Sequence, residues 1–328
     1  FVFSSIYAGL FKVKGNYDVI LVTSPPLFVG ITAYVLSKIK GLPFVFEIRD
    51  LWPESAIDTG VLNNKMIIKF AYWFEGFIYK KAQLINVLTP AFRDKLINEK
   101  KVPKEKVIFI PNAADFSLAE KIQKDSSFNA LKFKKELGLE NKFIISYVGA
   151  HGVANHLIQL IDAAEQLQNT NIVFQLIGSG MRKIVLQEEV KKRNLNNVIF
   201  RDPVPKAEVF KYILSSDMGA SVLKNADTFK TIYSNKTFDY MSCKKPVFLL
   251  IDGVSRDLIE KANCGIYVEP ENIKMIISKA IECSKLSNSQ LEKVGLNGYN
   301  YARNNFEREM LSIKYINLVN NKIINNEK

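Results

Sequence analysis

Thr231-Ile-Tyr-Ser-Asn-Lys-Thr-Phe-Asp-Tyr-Met-Ser-Cys-Lys-Lys-Pro246, followed at once by Val247-Phe-Leu-Leu-Ile251, is the stretch on which the reading of this chain turns. It predicts a loop, a short helix and a buried strand. Ser234 or Asn235 can cap the helix, Lys236 and Asp239 occupy its first turn, and Phe238 and Met241 face inward. Lys244-Lys245-Pro246 ends the helix, because the residue before a proline is driven out of helical geometry. The apolar run that follows reads as a buried strand. A helix N-terminus at the edge of an α/β sheet suits an anion, since its free N–H groups and dipole favour negative charge. A lysine and a carboxylate beside it suit a nucleotide, the lysine for phosphate and the carboxylate for ribose hydroxyls. An ordinary capped amphipathic helix shows the same pattern.

The sequence upstream repeats the theme. Phe143-Ile-Ile-Ser-Tyr-Val148 reads as a buried strand leading through Gly149-Ala-His-Gly152 into a helix. Ile172-Val-Phe-Gln-Leu-Ile177 does the same before Gly178-Ser-Gly180. Strands are also expected at Asn197–Phe200, Met218–Leu223 and Asn263–Val268. Repeated βα units form a Rossmann-like sheet. Glycines at a strand-to-helix turn let a phosphate approach the backbone, so Gly149, Gly152, Gly178 and Gly180 are candidate phosphate-side positions. His151 and His156 share no helical face and have no cysteine or acidic cluster near them in sequence, which makes them incidental rather than metal ligands.

The first third of the chain reads as a second parallel unit. Asp18–Val22 is a strand, Thr23-Ser24-Pro25-Pro26 a stiff turn, Phe28–Lys40 a helix and Phe44–Ile48 the next strand. Ligands of such sheets sit beyond the carboxyl ends of the strands, where Thr23-Ser24 and Glu47-Ile-Arg49-Asp50-Leu-Trp-Pro-Glu54 fall. Arg49 and Asp50 are either a structural ion pair or cleft residues. Lys65–Ala82 is a helix with a broad apolar stripe flanked by lysines, read as packed or as facing a membrane. Residues 1–14 carry the same two readings, as a core helix or as one resting on lipid. Further strands are expected at Leu84–Leu88 and Val107–Ile110. Residues 116–141 loosen into a linker with a helix around Leu131–Leu137, and Ser287 or Ser289 caps a helical C-terminal part.

At 328 residues, 48% of them apolar, the chain can bury two cores and is neither disordered nor fibrous. Its formal charge of +12 suits an anionic membrane surface or a phosphorylated substrate. Nucleic acid is the weakest option, because no arginine-rich tract, zinc spacing or aromatic RNA-binding signature accompanies the charge. Cys243, Cys264 and Cys283 are too few and scattered for a disulfide framework, which points to a reducing compartment. No run approaches the length needed to span a bilayer.

Ser234-Asn-Lys-Thr-Phe-Asp-Tyr-Met241 with Lys245-Pro-Val247 resembles the C-domain signature of retaining, GT-B-fold glycosyltransferases of family 4. The WbuB-like branch, which builds O-antigen, capsule and colanic-acid sugars, is the most similar. Its pattern runs Ser-Pro-Ser-Lys-x-x-Glu-Tyr-Met-x-x-Gly-x-Pro-Val. Asp239 matches the second, ribose-binding acid of a Glu-x7-Glu motif, whose first acid would stand at Thr231. Ser24-Pro-Pro-Leu27 and Phe46-Glu-Ile-Arg-Asp-Leu-Trp-Pro-Glu-Ser55 are similar to the N-domain of that branch. Pro111-Asn112-Ala-Ala-Asp115 is similar to its Pro-Asn-Gly-Val-Asp turn.

The resemblance implies an α/β chain of two Rossmann-like domains with a cleft between them. An acceptor-side domain would span 1–115, a linker 116–141 and a donor-nucleotide domain 142–285. Helices in 286–328 would return toward the first domain, packed by Tyr299, Tyr301 and Phe306. Arg49 and Asp50 would be catalytic. Gly149, Gly152, Gly178, Gly180, Ser234, Lys236 and Asp239 would bind the donor, and Ser24, Glu47 and Asn112 would face the acceptor. The donor would be a nucleotide-sugar, a UDP-sugar by preference, and the acceptor a lipid-diphosphate-linked saccharide. The enzyme would work as a peripheral protein on the cytoplasmic face of an anionic membrane. With no Asp-x-Asp pair in the sequence, neither a metal nor another cofactor is expected. Family members carry further βα units and a glycine-rich loop before the counterpart of residue 1, so the first domain is expected to be incomplete and the chain truncated. The rival readings are a non-catalytic, nucleotide-sugar-binding or partner-docking remnant and, less favoured, a sugar-nucleotide epimerase, which needs acid/base groups in its cleft.

Overall fold

A computed structural model describes residues 1–324. Its two compact units are residues 1–112 with the described residues from 309 onward, and residues 113–308.

The first unit is built on a parallel sheet of four strands, β1 (Ile20–Ser24), β2 (Phe44–Ile48), β3 (Leu84–Val87) and β4 (Val107–Phe109), in that order. Strands β2 and β3 are buried almost throughout, as a parallel sheet covered on both faces requires. One face packs on helices: Phe46 meets Tyr79 of the helix Lys65–Lys81, which Asn64 caps by accepting from the backbone of Met66 and Ile67. Val45, Leu84 and Ile108 line the other face and pack with Val319 and Ile323 from the end of the chain.

The second unit holds a parallel sheet of six strands: β5 (Phe143–Val148), β6 (Ile172–Ile177), β7 (Val198–Arg201), β8 (Met218–Val222), β9 (Val247–Leu250) and β10 (Gly265–Tyr267). Their order is β10-β9-β8-β5-β6-β7. The chain therefore moves outward from β5 in one direction and, after β7, returns to β8 and moves outward in the other. Such a reversal opens a crevice beyond the carboxyl ends of the two central strands. β5 and β8 pair only at Ile145 with Met218 and Ser146 with Gly219, so they part toward those ends.

Tyr240 fills the place where they part. Its buried hydroxyl accepts from the Val148 amide (3.1 Å) and donates to the Ala220 carbonyl (3.0 Å). Tyr240 belongs to the helix Asn235–Ser242, so this one side chain pins that helix across the crevice.

Two segments differ from their sequence reading. Residues 116–141, expected as a linker with a helix around Leu131–Leu137, contain that helix as Ala130–Glu136 and one that was not expected, Phe116–Lys124, whose Phe116, Ala119 and Ile122 enter the core of the second unit. The C-terminal aromatics also pack within the second unit: Phe306 meets Phe238 at 4.8 Å between ring centroids and Tyr299 meets Phe116 at 5.1 Å. Ser287 is the cap of the helix Asn288–Asn305, in a capping box with Gln290.

Replacing Tyr240→Phe would strand the Val148 amide and the Ala220 carbonyl without altering the packed ring. We expect a loss of about 1–3 kcal/mol in urea denaturation. A variant as stable as the parent would show that the bridge carries no weight.

Candidate functional site

The helix Asn235–Ser242 begins at the carboxyl edge of the second sheet, and the residues of its first turn define the candidate site. Ser234 is its cap residue, but the Ser234 side chain makes no cap hydrogen bond, and the hydroxyl of Thr237 is taken by Ser221 (2.9 Å). Lys236 lies under the loop that follows β5: a Cβ on Gly149 would stand 3.2 Å from its Nζ. The ammonium also sits 5.0 Å from the centre of the Tyr147 ring, a cation–π contact. Burial lowers Lys236 to about 8, against the opposing pull of Asp239.

Burial has the reverse effect on Asp239, raising it to about 6; Lys206 resists this shift and Asp115 adds to it. Lys206 lies 3.8 Å from Asp239 and 3.5 Å from Asp115, which Arg308 pairs at 2.9 Å. The site thus holds a half-buried lysine and a half-buried carboxylate one helical turn apart. Further charges brought in from residues 115, 206 and 308 set the carboxylate's field. Sequence reasoning singled out neither Lys206 nor Arg308, and took Asp115 only as part of a turn motif.

The glycines form the other wall. Gly178 has φ +141°, and a side chain there would collide with the carbonyl of Gly149. Gly180 stands in the same way against the backbone of His151. The absence of side chains at 178 and 180 thus has a packing cause: it lets the loops after β5 and β6 lie against each other. Beside them opens a cavity of about 320 Å³ between Gly149, Ala150, Gly178, Ser179, Pro203 and Val204. Gly152 looks instead into a cavity of about 310 Å³ whose walls include Arg182, Lys224 and His156, and its amide donates to Asn155 (3.3 Å). His151 is fully buried, and neither ring nitrogen has a hydrogen-bond partner among the described residues. Burial, with Lys183 adding to it, pushes His151 down to about 4, so it is neutral at physiological pH.

In the first unit, Ser24, Arg49 and Asp50 gather at the carboxyl edge of β1 and β2, where the Arg49 amide donates to the Ser24 carbonyl (2.9 Å). Arg49 is exposed, and no ion pair joins it to Asp50 among the described residues. Burial raises Asp50, while hydrogen bonds from Ser55 and the Leu51 backbone oppose the shift. Glu47 is turned onto the face of the sheet, where it accepts from Asn86 (3.1 Å) and Thr23 (3.5 Å). Asn112 is half-buried at the last position of that unit's first segment.

Thr231, where the sequence resemblance expects an acid, ends a short 3-10 turn, and its hydroxyl donates to the Thr228 carbonyl (2.6 Å).

Comparison with known proteins agrees with this architecture. Residues 3–113 match the family described as "Glycosyl transferase 4-like domain", and residues 129–301 match "Glycosyl transferases group 1". Among named relatives, the chain is 23% identical over 293 residues to the putative colanic acid biosynthesis glycosyl transferase WcaI of Escherichia coli K12, covering 85% of this chain and 69% of that protein. It is 24% identical over 240 residues to the alpha-D-kanosaminyltransferase of Streptomyces kanamyceticus, covering 72% and 60%. The solved structure of Anabaena HepE in complex with UDP and glucose superposes with a TM-score of 0.78 at 17% identity, covering 98% of this chain and 81% of that one. Sucrose-phosphate synthase of Thermosynechococcus elongatus gives 0.72 at 15% identity, covering 96% and 75%. At these identities the superpositions establish a shared α/β fold. The group 1 match extends over more than half of the sequence, and the chain therefore belongs to the group 1 glycosyl transferases.

Proposed function

We propose that the chain transfers a sugar from a UDP-sugar, with retention at the anomeric carbon, to a lipid-diphosphate-linked saccharide in bacterial surface-polysaccharide synthesis. The observation that carries this reading is the placement of Lys236 in the first turn, and of Asp239 one turn further on, of a helix at the sheet's switch point. The diphosphate would lie against Gly149 and the N-terminal end of that helix, with Lys236 on the leaving oxygen. Asp239 would accept from the ribose hydroxyls, and the cavity beside Gly178 and Pro203 would take the base. Two negative charges grow on the diphosphate as the glycosidic bond breaks, and a fixed ammonium stabilises them most in the transition state. This assigns the leaving-group charge to Lys236 and calls for no metal, in keeping with a sequence that has no Asp-x-Asp pair. Arg49, Asp50 and Ser24 are the groups we assign to the acceptor side.

The WcaI and HepE likenesses support the choice of substrate class: the first is named for colanic acid biosynthesis, the second was solved with UDP and glucose. One observation favours a second reading, binding without transfer. Thr231 stands where the resemblance expects a donor-contacting acid, and its hydroxyl is turned to Thr228. Release of UDP from a UDP-sugar in the presence of membrane extract separates the two.

No helix among the described residues is long and apolar enough to cross a membrane. The helix Lys65–Lys81 nonetheless exposes Met66, Phe70 and Trp73 beside Lys65, Lys69 and Lys80, with Trp73 62% exposed. We assign this face to an anionic bilayer on the cytoplasmic side, the aromatics entering the headgroup region and the lysines meeting its charge.

Three outcomes are expected. In calorimetry with UDP, Lys236→Ala weakens binding about ten- to hundredfold and Asp239→Asn about tenfold, the cost of losing a charge-assisted hydrogen bond; unchanged affinities would refute the donor site. UDP affinity falls below pH about 6, as Asp239 gains a proton and ceases to be an anionic acceptor. It falls again above about 8, as Lys236 loses its charge; a flat profile from 5 to 9 would contradict the assignment. Phe70→Ser with Trp73→Ser lowers sedimentation with phosphatidylglycerol vesicles, and added salt weakens the parent; equal sedimentation of the two would remove the membrane role.

A further inference from the structure

The first unit contains a cavity of about 710 Å³ that the donor reading does not use. Its walls are the second half of the helix Lys65–Lys81, the end of the helix Pro90–Asn98 and the loop before β4. On its floor the Lys100 ammonium is held between Glu75 (2.6 Å) and Glu54 (2.8 Å), and the Tyr79 hydroxyl donates to Glu75 (2.7 Å). These contacts occupy only one oxygen of Glu54. The other, Oε2, is buried and has no hydrogen-bond partner among the described residues. A buried carboxylate oxygen without a donor is unfavourable, which makes it a place for a donor from outside.

The rim has the opposite character. Lys80, Lys101 and Lys106 stand around the opening with one exposed acid, Glu99, so its balance is cationic. Lys101 caps the Asn98 carbonyl (2.7 Å), and Lys106 caps those of Lys80 (3.1 Å) and Ala82 (3.0 Å), while each ammonium keeps a further N–H to give. Gly76 lies between floor and rim, in mid-helix. Nothing stands within 4 Å of where its Cβ would be, so packing does not demand a glycine. Glycine weakens a helix interior relative to alanine, yet here it keeps the cavity wall open.

We propose that this cavity binds a phosphate ester bearing free hydroxyls, a phosphopolyol. A hydroxyl donates to Glu54 Oε2 and the phosphate rests among the rim lysines. A bare polyanion would meet the carboxylates on the floor, and a neutral polyol would leave the rim charge unanswered; a molecule with both ends answers both. The same chemistry is found in a free glycerol or sugar phosphate and in the headgroup of a glycerol-bearing phospholipid.

Calorimetry on the full chain tests this with sn-glycerol 3-phosphate, inorganic phosphate and dihexanoyl-phosphatidylglycerol below its micelle concentration. Glycerol 3-phosphate is expected to bind about fivefold tighter than inorganic phosphate, the difference being the hydrogen bond that one of its two hydroxyls gives to Glu54 Oε2. Gly76→Leu, which fills the opening from an unstrained helical position, should weaken binding by about tenfold or more without lowering the melting temperature and with UDP affinity unchanged. Lys80→Gln should weaken it about threefold and flatten its salt dependence. If the short-chain lipid binds and Gly76→Leu abolishes this, the headgroup is the source; binding by glycerol 3-phosphate alone assigns a free metabolite. Failure of glycerol 3-phosphate to bind, or binding that Gly76→Leu leaves intact, would overturn the proposal.

Discussion

The second unit depends on a single hydroxyl set between two parting strands. β5 and β8 share a short ladder and then diverge, which leaves the Val148 amide and the Ala220 carbonyl without strand partners. Tyr240 satisfies both. Because Tyr240 lies on the helix Asn235–Ser242, the bond that closes the ladder also fixes where that helix starts. Lys236 and Asp239 take their places from it. The loops opposite follow a second constraint: the strands can bring their ends so near only because Gly178 has no side chain to strike the Gly149 carbonyl. A polar bridge on one side and a bare backbone on the other leave the intervening space to the Lys236 ammonium.

The electrostatics of that space follow from its burial. Desolvation penalises the charged form of both Lys236 and Asp239, lowering one and raising the other. Their mutual attraction only partly offsets this. Such a pair gains from a ligand that supplies what water no longer does, a phosphate for the ammonium and hydroxyl donors for the carboxylate. The buried acids of the first unit are arranged differently: Glu54 and Glu75 are already bridged by Lys100, so the groups left unanswered there are one carboxylate oxygen and the rim lysines.

Much of this was legible in the residues. Phe143–Val148 and Ile172–Ile177 have the same bounds in sequence and structure, because an unbroken apolar run ended by glycine has few alternatives to a buried parallel strand. The helix carrying Lys236 and Asp239 was legible through its flanking turn and proline. What could not be read were contacts across long separations. Alternation along β2 turns Glu47 from the strand end onto the sheet face, and its partners Thr23 and Asn86 lie on neighbouring strands. The charges around Asp239 come from residues 115, 206 and 308, which no local pattern connects. In residues 116–141 the helix Ala130–Glu136 is legible, whereas Phe116–Lys124 is only nine residues long, and burial of Phe116, Ala119 and Ile122 along one face marks it as part of a core. Gly178 was singled out for phosphate approach, whereas the structure supplies a packing reason for the same residue type.

The claim at the centre of this account is that the carboxyl edge of the second sheet grips a nucleoside diphosphate. Amide chemical-shift mapping during a UDP titration of the labelled protein tests it most directly. The account predicts that the largest shifts fall on Gly149, Gly178, Asn235 and Lys236. Shifts confined to the first unit, or spread without focus over both, would contradict it.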